Sequence, residues 1–471
     1  MCPEFLVLIE QTNFSKLLNI FIKYFHLNTL WCLGIPMAKR RRVESRAWEL
    51  ANLACDIMLN PPPARHPLKT FVPKCPELPK LPSYHEEPGE DFWKSFPVHR
   101  NMHSKSPYKM NADHLCKLAV GAGVADMVTV RAVADDIRFG CDLRVDGDKC
   151  PPSRSTNAPS AKNNGYKVTD ALATWVKTKI VSGPFDTCPA KAVVNGLMTA
   201  PKPNGSIRII NNQSAPKDKS VNDFVDKKAY PSFMGGVREL LRALNYCGKD
   251  CEMAKVDWCN AYKHFYVKEK CHRYNWFRWL GKYFCELCLV FGCVSSVGLY
   301  DRGARVIIWI ALRETGFPFW LSIQHLDDMC ALRPANSSLL HDFYATYVRI
   351  CKEVGVSLAS LDDPDKAFSP CTRGQMLGIY FDTKLWIWWL SSEKIARYVN
   401  DIDCLRNKKE TNQREVWSVV GKILYVSPLV PSSKYHLSAL LRLNHVSEDP
   451  NELVVVSAEA KAQLDWWFCF I

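Results

Sequence analysis

No uncharged apolar run long enough to cross a bilayer opens this chain. Residues 5–33 are rich in Leu, Ile and Phe, but Glu10, Lys16 and Lys23 interrupt them, and a spanning helix needs about 20 predominantly apolar residues. We therefore expect no membrane partner. The start also lacks a basic segment and a following small-residue cleavage site, which argues against a secretory signal. The 20 cysteines lack zinc-finger spacing. The close pairs are Cys247-x-x-x-Cys251 and Cys285-x-x-Cys288, with no second pair at a matching interval. Free thiols in a reducing, intracellular compartment are expected instead. Internal repeats are absent as well.

With 471 residues, 47% of them hydrophobic and 11% aromatic, the chain can bury a large core and is expected to form more than one domain. Its formal charge of +13 suits a partner made of phosphate, whose binding would weaken steeply with salt. Ordinary solubility is the alternative reading of that charge. The segment Met37-Ala38-Lys39-Arg40-Arg41-Arg42-Val43 reads as a translation start followed by a basic nuclear-import signal. Residues 1–36 would then be a gene-model extension, and the protein nuclear or nucleocytoplasmic. A helical pattern follows over residues 43–60, then Pro61-Pro62-Pro63, with prolines recurring to Pro82 in an extended linker. A helical stretch over 112–139 and a polar, proline-containing loop over 150–164 complete a loosely structured basic region.

The sharpest chemical signal is His325-Leu326-Asp327-Asp328, flanked by Leu321, Ile323 and Leu332. Alternation through residues 320–332 predicts a strand, a tight turn and a strand, with the acids at the tip. An isolated Asp-Asp pair is ordinary turn chemistry, but a third acid stands upstream. Ala254-Lys255-Val256-Asp257-Trp258-Cys259-Asn260-Ala261-Tyr262 ends a short apolar run on Asp257. Acids at two neighbouring strand ends suit hard divalent cations, since Mg²⁺ takes one or two protein carboxylates and leaves room for substrate phosphates.

Taken in order, these segments resemble a reverse transcriptase. Asp257-x-x-x-Ala261-Tyr262 followed by the x-x-Asp-Asp hairpin looks like its palm. Lys202-Pro203-Asn204-Gly205-Ser206-Ile207-Arg208-Ile209-Ile210 with Ser220-Val221-Asn222 looks like its fingers. Leu289-Val290-Phe291-Gly292-Cys293-Val294-Ser295-Ser296 is similar to the template-grip segment. Lys366-Ala367-Phe368-Ser369-Pro370 and Met376-Leu377-Gly378-Ile379 are similar to the motifs that close the palm. The flanks Gly183-Pro184-Phe185, Phe277-Arg278-Trp279-x-Gly281-Lys282-Tyr283 and Leu464-Asp465-Trp466-Trp467 are most like the DIRS-type, tyrosine-recombinase retrotransposons. An ordered set of this kind is far more specific than any single motif.

The resemblance implies an α+β right-hand polymerase with an antiparallel palm sheet. Its expected divisions are residues 166–390 for fingers and palm, 391–445 for thumb-like helices, and 446–471 as a stub leading toward an RNase H domain, after the N-terminal region 37–165. Nucleotide addition is an in-line displacement at phosphorus, governed by positioning and charge neutralisation. Two Mg²⁺ ions, for which Mn²⁺ could substitute, would be held by Asp257 and Asp327. Asp328 is the weaker ligand, because one of two neighbouring hairpin residues usually points aside. Lys366 would protonate the leaving pyrophosphate. Lys202, Arg208, Tyr262 and Gly292 are assigned to nucleotide binding, Arg208 through forked hydrogen bonds and Lys202 as a point charge. Tyr262 would be the steric gate against ribonucleotides. The implied partners are an RNA template, a DNA primer, their RNA–DNA hybrid and deoxynucleoside triphosphates, with RNase H and recombinase supplied by separate proteins. No RNase H activity is expected of this polypeptide.

Four departures stand against the pattern. His325 replaces a tyrosine, Val290 a proline, Val297-Gly298 an Ala-Pro pair, and Asn211 an aspartate. Two further readings therefore stay open: a catalytically impaired, nucleic-acid-binding remnant, and an RNA-dependent RNA polymerase, against which Tyr262 argues. Helices are further predicted over 166–179, 233–244, 304–315, 393–405 and 413–425, and strands over 252–256 and within 274–289.

Overall fold

The structure, a computed structural model, describes residues 108–471 apart from Pro203, Asn204, Asn336 and Pro431. The suggested start at Met37, the basic segment, the 43–60 pattern and the proline linker lie outside the described residues.

The first helices are α1 (Ala112–Gly121) and α2 (Met127–Phe139). The stretch expected as one helix is two, because Gly123 turns the chain at φ +66° and Asp126 starts a new helix by accepting a hydrogen bond from the Thr129 N–H. Then come the short α3 (Pro159–Asn163), α4 (Gly165–Lys177), β1 (Val181–Phe185), β2 (Val194–Pro201) and β3 (Ile207–Asn212). Next are α5 (Val237–Cys247), β4 (Glu252–Asp257), β5 (Trp276–Trp279), β6 (Lys282–Glu286) and α6 (Val294–Thr315). The hairpin β7 (Ser322–His325) and β8 (Asp328–Arg333) leads to α7 (Leu339–Val354) and β9 (Phe368–Cys371). Strands β10 (Arg373–Met376), β11 (Ile379–Asp382) and β12 (Ile387–Trp389) form a three-stranded meander. Last come α8 (Ser392–Arg406), β13 (Glu410–Asn412), α9 (Gln413–Val426), α10 (Ser438–Asn444), β14 (Leu453–Val455) and α11 (Ala458–Phe470).

Two sheets matter for the site. One is a four-stranded antiparallel sheet in the order β7-β8-β4-β9. The other has five strands in the order β1-β6-β5-β2-β3, with a parallel β2–β5 pair among antiparallel ones. Central strand β4 carries Met253, Ala254 and Val256 fully into the core, as its apolar run requires. The long helix α6 begins ten residues before its predicted start at 304. The glycines that obscured its N-terminal half are places of close packing: a Cβ on Gly298 would lie 2.0 Å from the Tyr230 carbonyl oxygen, and one on Gly303 would strike the Phe265 ring.

Two expectations about organisation are corrected. Residues 108–165 are not a loose preface, because Leu115, Ala119, Val130 and Val133 are buried in the same core as the acidic sheet. The compact body starts upstream of Tyr166. Likewise residues 446–471 are more than a stub, since Ala460, Leu464 and Trp467 of α11 are fully buried and Trp467 Nε1 donates to the His436 carbonyl at 2.9 Å. The sequence undercounted both because single apolar residues at helical spacing declare a core only once a partner surface is known.

Candidate active site

The acids meet through strand register. Asp257 ends β4 directly opposite Asp328, the first residue of β8, while His325 and Asp328 close the β7–β8 hairpin. The two turn residues are Leu326 and Asp327. Leu326 sits at φ +51°, a left-handed conformation that costs an L-residue with a bulky side chain roughly 1–2 kcal/mol. Gln324 Nε2 holds it there by donating to the Leu326 carbonyl at 2.6 Å. The Trp258 N–H donates to the Asp327 carbonyl at 3.3 Å, and the Ala359 N–H to that of Asp257 at 2.9 Å. Hairpin tip, strand end and the loop after α7 are thus tied through the backbone.

Asp257 is 4% exposed. Its Oδ2 lies 3.0 Å from Lys366 Nζ, while its Oδ1 is buried without a hydrogen-bond partner. Burial, and then the charge of Asp327, push its carboxyl up to about 7. Asp328 is also raised, first by burial, with Lys255 opposing the shift. Lys255 is itself buried; its Nζ is 3.2 Å from Asp328 Oδ2 and donates to the Asp365 carbonyl at 2.9 Å. Burial would depress the Lys366 ammonium, but its bond to Asp257 and the charges of Asp327 and Asp328 outweigh that and raise it.

The other assigned residues converge on the same point. Asp327 acts electrostatically on Tyr262 and Lys202 as well as on the other two acids. Lys202, just beyond β2, is pulled down by its surroundings, then by the neighbouring Arg208 and Lys366 cations. Arg208 lies over the Phe291 ring at 5.0 Å. That ring lies 4.7 Å from Tyr262, which in turn packs on Tyr300. Tyr262 is buried in a short 3₁₀ turn, Ala261–His264, and burial pushes its hydroxyl up to about 12. Gly292 has a clear packing reason: at φ +119°, a Cβ there would meet the Asn211 carbonyl oxygen at 2.2 Å. Its own carbonyl accepts from Asn222 Nδ2 at 2.6 Å.

Three of the four departures have structural accounts. His325 Nδ1 is 2.7 Å from the Gly235 carbonyl. Asn211 Nδ2 donates to the Asn275 carbonyl at 3.2 Å, which an aspartate could not do. Gly298 permits the close approach of α6 to Tyr230. Val290 is simply buried.

Sequence reasoning missed one member of the site, Lys255, and several buried polar groups elsewhere in the fold. Lys255 was quoted without a role, yet as residue i−2 of Asp257 it lies on the same strand face, and a lysine inside an apolar run needs a partner. Lys263 and Glu286, each 4% exposed, form a buried ion pair, and Lys263 Nζ lies 4.7 Å from the centre of the Trp175 ring. His264 is buried and held neutral, its pKa lowered to about 4 by that burial. Its Nε2 accepts from the Ser357 N–H at 3.0 Å. The cysteine pairs are poor ligands here, since burial raises Cys247 to about 11 and both Cys251 and Cys288 to about 12, and raises Cys285 as well.

Among the described residues, no three His, Cys, Asp or Glu side chains are gathered so as to hold a metal ion unaided. Two lysines instead engage Asp257 and Asp328. The donor chemistry nevertheless fits a hard cation: a buried carboxylate with an unpaired oxygen, raised by a second carboxylate beside it, is what a bound divalent ion would relieve.

No protein family matches the chain, and no curated protein does. Among solved structures, a foamy viral protease-reverse transcriptase, in a dRH form complexed with double-stranded DNA, has a TM-score of 0.49 at 15% identity, covering 80% of this chain and 62% of that one. The foamy viral protease-reverse transcriptase with an RNA/DNA hybrid gives 0.49 at 15%, covering 81% and 48%. With double-stranded DNA it gives 0.47 at 15%, covering 79% and 73%. The chain therefore spans less than two thirds of the first two of those chains.

Proposed function

We propose that this chain is an RNA-directed DNA polymerase of a retrotransposon, of DIRS type by its flanking motifs, extending a DNA primer on an RNA template. The observation that supports this most directly is the electrostatic contact of Asp257, at the end of β4, with Asp327, at the hairpin tip, with Lys366, Lys202, Arg208 and Tyr262 around them. Asp257 and Asp327 would hold Mg²⁺, which when bound supplies charge neutralisation to the triphosphate and the primer hydroxyl. Asp328, already neutralised by Lys255, would shape the site's field more than ligate.

The chain's own residues do the rest. Lys202 and Arg208 bring the triphosphate to the acids, Arg208 kept in place by the Phe291 face. Tyr262 closes the space beside the sugar. The primer hydroxyl gives its proton to solvent as its oxygen bonds the α-phosphorus and the bond to pyrophosphate breaks; the leaving oxygen takes a proton from Lys366, which the arriving phosphates draw from Asp257 and which solvent then reprotonates. In this reading the antiparallel sheet is the palm, the five-stranded sheet belongs to the fingers, and α8 to α10 form the thumb.

The reading is tested by extension of a DNA primer on an RNA template with deoxynucleotides and Mg²⁺; ribonucleotide incorporation at equal efficiency would instead indicate an RNA polymerase. Tyr262→Ala is expected to lower discrimination against ribonucleotides by about tenfold or more, because excluding a hydroxyl by contact is worth about 1–3 kcal/mol. Discrimination is read from single-nucleotide incorporation, and an unchanged ratio would remove the gate role. A second reading, a binding remnant without catalysis, is favoured by the lysines that engage Asp257 and Asp328. It predicts hybrid binding that falls with salt and no extension at any Mg²⁺ concentration.

A further inference from the structure

A cation on Asp257 would release Lys366 from the carboxylate that holds it, whose Oδ2 lies 3.0 Å from its Nζ. The side chain is half exposed, so its backbone must then carry the aim. Its loop, between α7 and β9, is stiff within itself, since the Lys366 and Ala367 N–H groups both donate to the Asp363 carbonyl, at 2.9 and 3.0 Å. What fixes that turn against the acids is the preceding residue, Asp365. Lys255 Nζ donates to the Asp365 carbonyl at 2.9 Å, and the Tyr380 hydroxyl donates to Asp365 Oδ1, also at 2.9 Å.

Both grips come from fixed places. Lys255 stands in the central strand β4, its side chain 3% exposed, paired with Phe368 at the start of β9. Tyr380 stands in β11, between β10 and β12, with its ring stacked on Trp389 at 5.4 Å. Lys255 Nζ also lies 3.2 Å from Asp328 Oδ2, so one buried ammonium holds the hairpin acid and the Lys366 turn at once. Pairing with Asp328 alone uses one of its three protons; a second goes to a main-chain carbonyl one residue from Lys366. Such an aim matters, because misplacing a reacting group by about 1 Å costs about a hundredfold in rate. We propose that Lys255 and Tyr380 clamp Asp365 and so position Lys366 for proton delivery to the leaving pyrophosphate. Neither touches the reacting atoms; both are positioning residues. The inference rests on the polymerase reading and adds to that site a hold that lies outside its acids.

The test uses the full chain. Lys255→Met by itself strands the Asp328 carboxylate, so it is made in Asp328→Asn and compared with that single variant, while Tyr380→Phe is compared with the wild type. Single-nucleotide incorporation is expected to slow about tenfold in Tyr380→Phe and about a hundredfold on adding Lys255→Met, with KM for the deoxynucleotide held within about twofold in each comparison. The losses should shrink with a β,γ-difluoromethylene deoxynucleotide, whose less basic leaving group needs the proton less, and persist with the β,γ-methylene analogue. A merely structural defect slows both analogues alike, and equal losses would overturn the proposal. Hydrogen exchange at the Lys366 and Ala367 amides, measured with Mg²⁺ present, reads the hold without catalysis and should be about tenfold faster in Tyr380→Phe. Unchanged exchange on both substitutions would also overturn it. No extension by any of the proteins, with exchange faster in the variants, would count against the polymerase reading and leave the clamp on Lys366 in place.

Discussion

Asp257→Asn is expected to lower primer extension by about a thousandfold or more, since removing one group aimed at developing charge already costs about 10²–10³. The same variant should be more stable than the wild type at pH 8 in the absence of divalent metal. Asp257 is buried and its carboxyl raised to about 7, against roughly 3.9 in an unfolded chain. Below about pH 4 both states carry the proton and the group contributes nothing. Between about 4 and 7 the folded state keeps a proton that the unfolded state has lost, so stability falls as pH rises, and the full penalty is present above about 7. Asparagine removes it, by an amount on the order of 2 kcal/mol at pH 8 that shrinks toward pH 5. Urea unfolding at both pH values reads this directly. Added Mg²⁺ should then stabilise the wild type and leave the variant unmoved. A variant less stable at pH 8 than at pH 5, relative to wild type, would show that the Lys366 pair outweighs the burial of Asp257.

Lys263→Met is expected to destabilise the fold by about 3–5 kcal/mol, because it strands the Glu286 carboxylate in a site that is 4% exposed. The double variant Lys263→Met/Glu286→Met should recover most of that loss, since two apolar side chains can replace a buried pair at little net cost. The cycle has a functional consequence, for Lys263 adjoins Tyr262 in the 3₁₀ turn. If the pair anchors that turn, nucleotide discrimination falls in the single variant at temperatures where it remains folded. Additive losses in the two single variants would mean that the residues do not act as a pair.

Much of the site was legible because its signals are local. The hairpin followed from alternation around Asp327, and β4 from a short apolar run ending in Asp257. The structure places both strands in one sheet, in the register that sets Asp257 opposite Asp328. The helices over 393–405 and 413–425 were read to within a residue, since Ser391 and Asn412 cap them as their residue types suggest. What escaped was non-local. Nothing adjacent to Lys255 reveals that it meets Asp328, 73 positions away, or that Lys366 meets Asp257. The left-handed Leu326 violates a local preference that would have argued against a two-residue turn. Gly292 was assigned to nucleotide binding and Gly298 looked like motif variation, whereas their lack of a Cβ lets the Asn211 and Tyr230 carbonyls approach.

The central claim is that Asp257 and Asp327 form a working phosphoryl-transfer centre. Its most direct test is extension of a DNA primer on an RNA template with deoxynucleotides and Mg²⁺, comparing the wild type with Asp327→Ala and measuring hybrid binding for both. Extension by the wild type alone, with equal binding, is the predicted result. Equal hybrid binding with no extension by either protein would contradict it and leave a nucleic-acid-binding remnant.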